Sequence, residues 1–390
     1  MAPVAATLAA TAALGLGVAL ARAGRDRRAS RAQLAREREF ALLASETLAV
    51  GLRRIAVGQL DLAIEVLTVD GERMLSEGAV HEARKALKRL RALLRLLEDE
   101  LAEQVFSREN AVLREAGRRL SAARDAEVMV ATLAELLRRH PSKLAHRRGA
   151  LLLQAQLRAE RDQIAQQTLG DESTVADVLD ELRAVRRRVA AWSLAEHPGI
   201  EAVEPALKRL YRRGRRRYRR AALGRGSRTR AMHAWRKRVK ELRYAAEMLH
   251  RTDPEASASA GARRAGKGSK PRGAAGKLVG RERKRRRKQA QKRREAGYIR
   301  RVARRADELG ELLGAEHDLA VLAARVRSEA GSASAPVAGP RTRRLLLRLI
   351  AKRRKRLRKQ ALRRGKRLYR QRPKGFAARA RSAYARAWRA

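Results

Sequence analysis

The sequence predicts an all-α protein that contains an internal duplication. No stretch shows the sustained alternation of apolar and polar residues that indicates a β-strand. Apolar residues instead recur at helical spacing from about Arg31 to Leu101 and again in the second half of the chain. An eleven-residue basic motif also occurs twice, 152 residues apart. We therefore expect helices throughout, arranged in two related halves.

The composition indicates a folded protein that attracts polyanions. The 390 residues include 94 Lys and Arg against 41 Asp and Glu, which gives a formal net charge of +53. A positive field of this size draws anionic partners towards the protein. Hydrophobic residues make up 44% of the chain, which is too many for a merely disordered basic tail.

Several functional classes are disfavoured by what the sequence lacks. Aromatic residues are only 3% of the chain, which argues against a platform for stacking single-stranded bases. The absence of Cys excludes disulfides, thiolate metal sites and Cys nucleophiles. No nucleophile elbow, Walker loop or dinucleotide-binding glycine motif occurs in a strand–helix setting. We predict no catalytic residues, no metal ligands and no cofactor.

The chain begins with a weakly apolar leader. Residues Met1 to Ala21 carry no charged side chain, and as a helix they would span about 30 Å, close to the thickness of a bilayer core. Arginines follow from Arg22, and as a membrane anchor this order would leave the rest of the chain in the cytoplasm. A surface or unstructured leader and a signal peptide are the alternatives. We assign residues 1–30 to the leader and its basic flank.

The first copy of the basic motif runs from His81 to Arg91. On a helix its cations share one stripe, and Ala and Leu residues form the opposite, apolar stripe. Like charges at this spacing repel one another, so an anion bound along the stripe would stabilise it. A solvated helix face is the alternative interpretation. The stripe consists of His81, Arg84, Lys85, Lys88 and Arg91.

The periodicity predicts four helices around and after this motif. We expect the first from near Ser76 to about Glu98–Glu100, and the others at about Ser107–Ala123, Asp125–Arg139 and Ser142–Gln167. The third helix is expected to stop at His140-Pro141, because proline cannot continue a helix.

The second copy of the motif runs from His233 to Arg243 and matches the first at six of eleven positions. This recurrence, which includes a rare His, weakens the interpretation as an ordinary solvated face. If the halves pack about a pseudo-twofold axis, the two stripes would line one shared basic cavity, where Arg and Lys suit phosphate oxygens. The matching stripe consists of His233, Arg236, Lys237, Lys240 and Arg243.

Two later segments also align between the halves. Leu120–Val128 corresponds to Leu313–Val321, and Leu151–Leu153 corresponds to Leu345–Leu347. For the two aspartates in these segments we favour a helix N-cap over a ligand role. The aligned pairs are Arg124 with His317, Asp125 with Asp318, Arg158 with Lys352, and Arg161 with Lys355.

The second half is longer because of a basic insertion. Residues from about 252 to 294 are almost entirely Ala, Ser, Gly, Lys and Arg, a composition that cannot bury a core. We therefore predict a disordered insertion there. The segment from Gly331 to Pro340 is expected to be a plain loop between the last two long helices.

These motifs together resemble the CHAD family, the conserved histidine α-helical domain. The resemblance is carried by the paired His-x-x-Arg-Lys helices and by the Leu-x-Ala-x-Arg/His-Asp segments. The basic C-terminus, with Arg367-Leu368-Tyr369 and Pro373-Lys374-Gly375-Phe376, also resembles the family. The resemblance spans residues 31–390 apart from the insertion, with a first half of about 31–200 and a second half of about 201–390.

The resemblance implies two pseudo-symmetric four-helix bundles around a basic cavity that binds inorganic polyphosphate without catalysis. Arg124 stands where the second half has His317, so the halves are not equivalent. The polyphosphate ligands that the resemblance implies are His81, Arg84, Lys85, Lys88, Arg91, His233, Arg236, Lys237, Lys240, Arg243 and His317. The internal register adds Arg124, Arg158, Arg161, Lys352 and Lys355.

Two other functions stay open. A nucleic-acid-binding or ribosome-associated basic protein would use its outer surface, or the insertion could bind nucleic acid non-specifically. A metal-dependent phosphohydrolase would release phosphate from polyphosphate. We expect a cytoplasmic protein, either associated with polyphosphate granules or tethered to the inner face of the membrane through residues 1–21.

Overall fold

A computed structural model describes most of the chain between residues 39 and 388. The predicted leader, nearly all of the predicted basic insertion and the turn at Val69–Gly71 lie outside the described residues. The described residues are 39–43, 45–68, 77–169, 172–196, 199–224, 226–252, 297–328 and 337–388.

Twelve helices make up most of the described chain. In the first half they are α1 Leu48–Leu67, α2 Glu77–Leu96, α3 Glu103–Arg119, α4 Ser121–Arg139, α5 Pro141–Leu144, α6 Arg148–Leu169 and α7 Glu172–Ala190. In the second half they are α8 Glu204–Leu223, α9 Arg228–Met248, α10 Tyr298–Ser328, α11 Pro340–Leu368 and α12 Pro373–Trp388.

The all-α prediction is confirmed, with one small departure within the described residues. Two residues of β1, Leu42–Leu43, pair in parallel with two residues of β2, Arg251–Thr252. This short contact fastens the segment before α1 to the end of α9. A pair so short carries no periodic pattern, so the sequence could not indicate it.

The predicted helix boundaries need two corrections. The helix expected from Ser142 is divided, because the single turn α5 ends at Leu144 and α6 begins only at Arg148. Leu144 is buried, and the chain turns there to place α6 beside α4. The helix expected at Ser107–Ala123 is also displaced, because α3 runs from Glu103 to Arg119 and α4 begins at Ser121.

The predicted N-cap roles of the two aspartates are wrong. Asp125 lies inside α4, whose N-cap position is Leu120, and Asp318 lies deep within α10. The first half breaks its helix at Leu120, whereas α10 continues unbroken through the aligned Leu313. Both carboxylates are therefore side chains on helix faces and are free to contact other elements.

Two apolar clusters form the core. The larger joins α1, α2, α3 and α7 to α8, α9, α12 and the first part of α10, and it contains Leu87 and Trp235. The smaller joins α4, α5 and α6 to the rest of α10 and most of α11, and it contains Leu133 and Leu346. Because each cluster takes helices from both halves, burial of apolar area holds the halves together.

The helix contacts follow the same order in both halves. In the first half α1 packs on α2 and α7, and α3 packs on the same two helices. In the second half α8 packs on α9 and α12, and α10 packs on the same two helices. The contacts of α2 with α9 and of α4 with α10 connect the halves. The division into two four-helix bundles stays a prediction.

The long helix α11 approaches α8 and α9 closely at a glycine. A Cβ at Gly365 would lie 2.5 Å from Cζ2 of Trp235 and 2.8 Å from Cδ2 of Tyr218. The Trp235 ring is fully buried, so it has no free space into which to move. Gly365 thus sets how closely α11 can pack.

We expect Gly365→Ala to destabilise the protein by about 1–3 kcal/mol through overpacking against Trp235. The better helix propensity of Ala offsets at most about 1 kcal/mol of this. Urea denaturation followed by circular dichroism measures the change. The matched control is Gly310→Ala in α10, where a new Cβ meets no atom within 4 Å. Equal stability of the two variants would contradict the expected clash.

Candidate functional site

Helices α2 and α9 carry the two copies of the basic motif and pack against each other. Their apolar faces enter the common core, where Leu87, Leu90, Val239 and Leu242 are all buried. Because each helix is amphipathic, burying these residues leaves the cationic stripes beside the contact between the helices. The structure thus brings the repeated stripes together.

A cavity of about 400 Å³ lies between α2 and α9. Cations from both helices line it, and Glu241 and Tyr244 contribute the remaining side chains. The cations that line this cavity are Lys88, Arg91, Arg95, Arg236, Lys237, Arg238 and Lys240. We call Arg84, Lys88, Arg124, Arg236 and Lys240 the central cluster, because they act on one another or on shared neighbours electrostatically.

The two lysines of the central cluster hold their protons weakly. Surrounding protein lowers the pKa of Lys88 to about 7, and the positive charges of Arg84 and Lys240 act in the same direction. Burial and then the charge of Arg236 lower the pKa of Lys240 to about 8. Lys88 still reaches water, as expected for a side chain in an open concave site. Neither ammonium group has enough negative charge nearby to restore the usual pKa of a lysine.

The two equivalent arginines of the central cluster have unused donors. Arg84 donates from Nη1 to the carbonyl oxygen of Leu120 at 2.7 Å, where the helix breaks, and it lies 3.9 Å from the carboxylate of Asp125. The Nε groups of Arg84 and Arg236 are buried and have no hydrogen-bond partner among the described residues. Buried donors of this kind are normally satisfied, and an anion could satisfy both.

The aspartates predicted to be caps instead lie beside the central cluster. Asp125 approaches Arg84, and Asp318 lies within electrostatic range of Arg236 and Lys240. Burial raises the pKa of Asp318, although these cations favour its charged form. The two carboxylates are partial counter-ions in a site where cations are in excess.

Two of the three predicted histidine ligands touch each other. The Nδ1 atoms of His233 and His317 lie 3.2 Å apart, so one ring donates and the other accepts when both are neutral. Burial lowers the pKa of His317 to about 4, and the neighbouring His233 and Arg236 add to this effect. Burial and then the charge of Lys237 lower the pKa of His233. His81 is exposed, and its pKa is lowered by partial desolvation and by Arg124.

A second cavity, of about 300 Å³, adjoins the central cluster between α4 and α10. Arg124, Asp318 and Arg353 of α11 are among the residues that line it. Its other walls are mainly small and apolar side chains such as Val128 and Leu319. Arg124 also pairs with the neighbouring Glu127.

Three predicted ligands pair with groups beside the cluster. Lys85 contacts Glu82 one turn before it, with Nζ 2.9 Å from Oε2. Arg91 donates from Nε to Asn110 at 3.2 Å. Arg243 donates from Nε to Glu247 at 2.6 Å and also pairs with Asp307. Lys85 and Arg243 are therefore partly neutralised by carboxylates, whereas Lys88 and Lys240 form no ion pair with a described carboxylate.

Four predicted ligands are not joined to the central cluster by any described contact. Arg158 is exposed, and Arg161 donates from Nε to the adjacent Asp162 at 2.8 Å. Lys352 and Lys355 are exposed on α11. The internal sequence register that suggested these four residues contains no information about which way the faces of α6 and α11 point.

Sequence reasoning missed four residues that line the cavity between α2 and α9, namely Arg95, Arg238, Glu241 and Tyr244. Arg95 lies 3.0 Å from the carboxylate of Glu241, and Arg238 lies 2.8 Å from its other oxygen. The signal for Arg95 was present, because it follows Arg91 by four residues on the same stripe. Glu241 is buried and interrupts the otherwise cationic lining, so it ties α2 to α9.

Sequence reasoning also missed a buried carboxylate next to His317. Glu316 is 1% exposed and accepts hydrogen bonds from Nε of Arg354 at 3.0 Å and Nε of Arg358 at 2.7 Å. Arg354 also donates to the hydroxyl of Thr229 at 2.8 Å, which connects α11 to the start of α9. Loss of one partner from such a buried group is strongly destabilising.

A known protein family matches this chain. A family model described as the CHAD domain matches residues 58–265, which is more than half of the chain. The chain belongs to the CHAD domain family. The crystal structure of a CHAD domain from the plant Ricinus communis is 19% identical in sequence, with 80% of this chain and 88% of that chain covered and a TM-score of 0.46. No match was found among curated proteins.

Two further findings concern the described residues as a whole. No group of three or more His, Asp or Glu side chains that could hold a metal ion occurs in the part of the chain that the structure describes. Among the described helices, none has the length and apolarity needed to cross a bilayer.

We expect the stability of this CHAD chain to fall as the pH decreases from 6.5 towards 4. The folded-state pKa of His317 is about 4, below the value of 6.5 for an unperturbed His, so unfolding takes up a proton in this range. The contribution is fully present above pH 6.5 and is lost as the pH approaches 4. Urea denaturation at several pH values measures it.

The variant His317→Gln should show a shallower loss of stability over this pH range than the wild type. The matched control is His146→Gln, which alters an exposed histidine on the connection before α6. An unchanged pH slope in His317→Gln would contradict the assignment of this effect to the paired histidines.

Proposed function

We propose that this CHAD protein binds inorganic polyphosphate in the central cluster between α2 and α9 and does not catalyse a reaction on it. The observation that carries the proposal is the meeting of Lys88 and Arg84 with Lys240 and Arg236. These residues occupy equivalent positions in the two copies of the repeated motif. Membership of the CHAD family implies the same class of ligand.

The electrostatic state of the free site supports an anionic ligand. Lys88 and Lys240 have lowered pKa values because burial and neighbouring cations disfavour their charged forms. A ligand with negative charge distributed along its length would neutralise cations from both helices at once. The buried Nε donors of Arg84 and Arg236 would gain acceptors from the same ligand.

The lining of the site favours a bare phosphate chain over a nucleic-acid strand. Among the described residues, Tyr244 is the one aromatic residue that lines the cavity between α2 and α9, and it is buried. Single-stranded nucleic acids are usually held by stacking of their bases on exposed aromatic rings. A chain of phosphates needs only cations and hydrogen-bond donors. Its binding should weaken as the salt concentration rises, because counter-ions are released on binding.

We expect the triple variant Lys88→Gln, Lys237→Gln and Lys240→Gln to weaken binding of long-chain polyphosphate at least tenfold. Loss of about 1.4 kcal/mol of charge-assisted contacts is enough for this factor. Fluorescence competition at physiological salt, with DNA and RNA at matched phosphate concentration, measures the affinity. The matched control changes Lys143, Lys208 and Lys374 to Gln, three lysines outside the cavity.

Two outcomes would overturn the proposal. One is equal binding of polyphosphate, DNA and RNA that does not change in the triple variant. The other is an equal loss of affinity in the control, which would assign binding to net charge instead of to the cavity. Circular dichroism of each variant shows whether its fold is intact.

Polyphosphate binding should take up protons near pH 8. In the free protein the pKa values of about 7 for Lys88 and about 8 for Lys240 leave these amines partly neutral. An anionic ligand raises both pKa values, so affinity should fall as the pH rises from 7 to 9. Isothermal titration calorimetry in buffers of different ionisation enthalpy measures the uptake, which Lys88→Gln with Lys240→Gln should reduce. Equal uptake in the double variant would contradict this origin.

The absence of catalysis is part of the proposal and has its own test. Release of inorganic phosphate from polyphosphate is followed with and without added divalent metal ions. We expect no release above the uncatalysed background. Release that depends on metal and on the protein would instead support the phosphohydrolase.

The predicted roles of the leader and the insertion also need separate tests, because both lie largely outside the described residues. Deletion of residues 252–294 should weaken polyanion binding without abolishing it. Membrane fractionation of the full chain, beside a variant without residues 1–21, tests the predicted membrane tether.

A further inference from the structure

The helix α11 has the most one-sided charge of the described helices. Its 29 residues contain fifteen Lys and Arg and no Asp or Glu. Eight of these cations recur at steps of three and four, so they form one row along the helix. The row extends for about 38 Å. We call it the outer stripe, and it consists of Arg341, Arg344, Arg348, Lys352, Lys355, Lys359, Arg363 and Lys366.

The outer stripe faces away from the core, and none of its residues lines the cavity between α2 and α9. All eight of its residues are exposed, whereas Leu346 and Leu357 on the opposite side of α11 are buried. Arg354 and Arg358 also lie away from the stripe and are held by the buried Glu316. The stripe is therefore a surface separate from the cavity between α2 and α9.

The cations of the outer stripe are not neutralised by carboxylates, as other exposed arginines are. None of its eight cations forms an ion pair with a carboxylate in the described part of the chain. By contrast, Arg118 pairs with Glu115 and Arg183 pairs with Asp180, each within one helical turn. Neighbouring cations three or four residues apart destabilise a helix by a few tenths of a kcal/mol per pair. A bound polyanion would relieve this repulsion along the whole row.

The composition of the surface restricts the class of partner. Helix α11 contains no aromatic residue, so it offers no ring on which unpaired bases could stack. The exposed large apolar side chains of the described chain, such as Leu151 and Val321, lie on other helices. An interfacial membrane helix would instead bury an apolar face among lipids. A straight row of cations suits a rigid polyanion with a high charge density.

We propose that the outer stripe of α11 binds the phosphate backbone of double-stranded nucleic acid, independently of its base sequence. A duplex carries about one negative charge per 1.7 Å of its axis, so a segment as long as the stripe presents about twenty phosphates. Long, flexible Lys and Arg side chains can reach phosphates on both strands. This activity is distinct from polyphosphate binding in the central cluster.

The test uses the full chain and a mixed-sequence duplex of about 24 base pairs, as DNA and as RNA. Fluorescence anisotropy at several salt concentrations gives the affinity and its salt dependence. The stripe variant changes Arg344, Arg348, Lys359 and Arg363 to Gln and leaves the predicted polyphosphate ligands unchanged. The matched control also removes four exposed cations, by changing Arg118, Arg138, Arg183 and Arg304 to Gln.

We expect the stripe variant to bind both duplexes at least tenfold more weakly. The slope of the logarithm of its association constant against the logarithm of the salt concentration should be less steep by about 2–4. Its affinity for polyphosphate should stay close to that of the wild type. The control should keep its duplex affinity. The triple lysine variant of the central cluster should show the reverse pattern, which separates failure of this proposal from failure of the polyphosphate proposal.

Three results would overturn the assignment. Equal losses in the stripe variant and the control would show a general effect of net charge. Full duplex binding by the stripe variant, with loss on deletion of residues 252–294, would assign the activity to the insertion. If the stripe variant lost binding to vesicles that contain phosphatidylserine but kept its duplex binding, the stripe would be assigned to a lipid surface.

Discussion

The close approach of two cationic helices, α2 and α9, is the constraint on which the rest of the structure depends. Their charges repel, so the contact forms only because burial of the apolar residues behind the cations outweighs the repulsion. Leu87 and Leu242 are both fully buried in the larger core cluster. Glu241 then connects the two helices by pairing with Arg95 and Arg238.

Carboxylates are scarce in this protein, and the buried ones lie where elements must be joined. Glu316 holds two arginines of α11 against α10, and Glu109 is fully buried between α3 and Arg188 of α7. Among the described carboxylates, Asp125, Asp318 and Glu127 lie beside the central cluster, and its five cations remain in excess. The arginines that join helices are thus paired with buried carboxylates, whereas Lys88 and Lys240 of the central cluster and the cations of the outer stripe form no ion pair with a described carboxylate.

The two proposed polyanion sites differ in shape, and their ligands should differ accordingly. The central cluster is concave, and its walls come from both halves, so it can surround a narrow chain. The outer stripe is a straight, exposed row on a single helix and can contact only one side of a partner. Desolvation strengthens charge interactions in the first site, whereas water and salt screen the second. Binding to the stripe should therefore be the more sensitive to salt.

Much of this arrangement follows from local sequence patterns. Helical periodicity determined the class of fold and the approximate positions of the helices from α2 to α6, because a 3.6-residue repeat is a property of neighbouring residues. The repeated motif by itself identified Lys88 and Lys240 as equivalent cations of the two halves. The same reasoning failed for Asp125 and Asp318, since a cap depends on where a helix starts and α10 does not break at Leu313.

Only the tertiary structure decided how the helices are oriented about one another. The pairing of His233 with His317 and the burial of Glu316 depend on contacts between residues distant in sequence. The outward direction of Lys352 and Lys355 depends in the same way on which side of α11 is buried. Periodicity determines which residues share a face of a helix, but packing against other helices determines what that face meets.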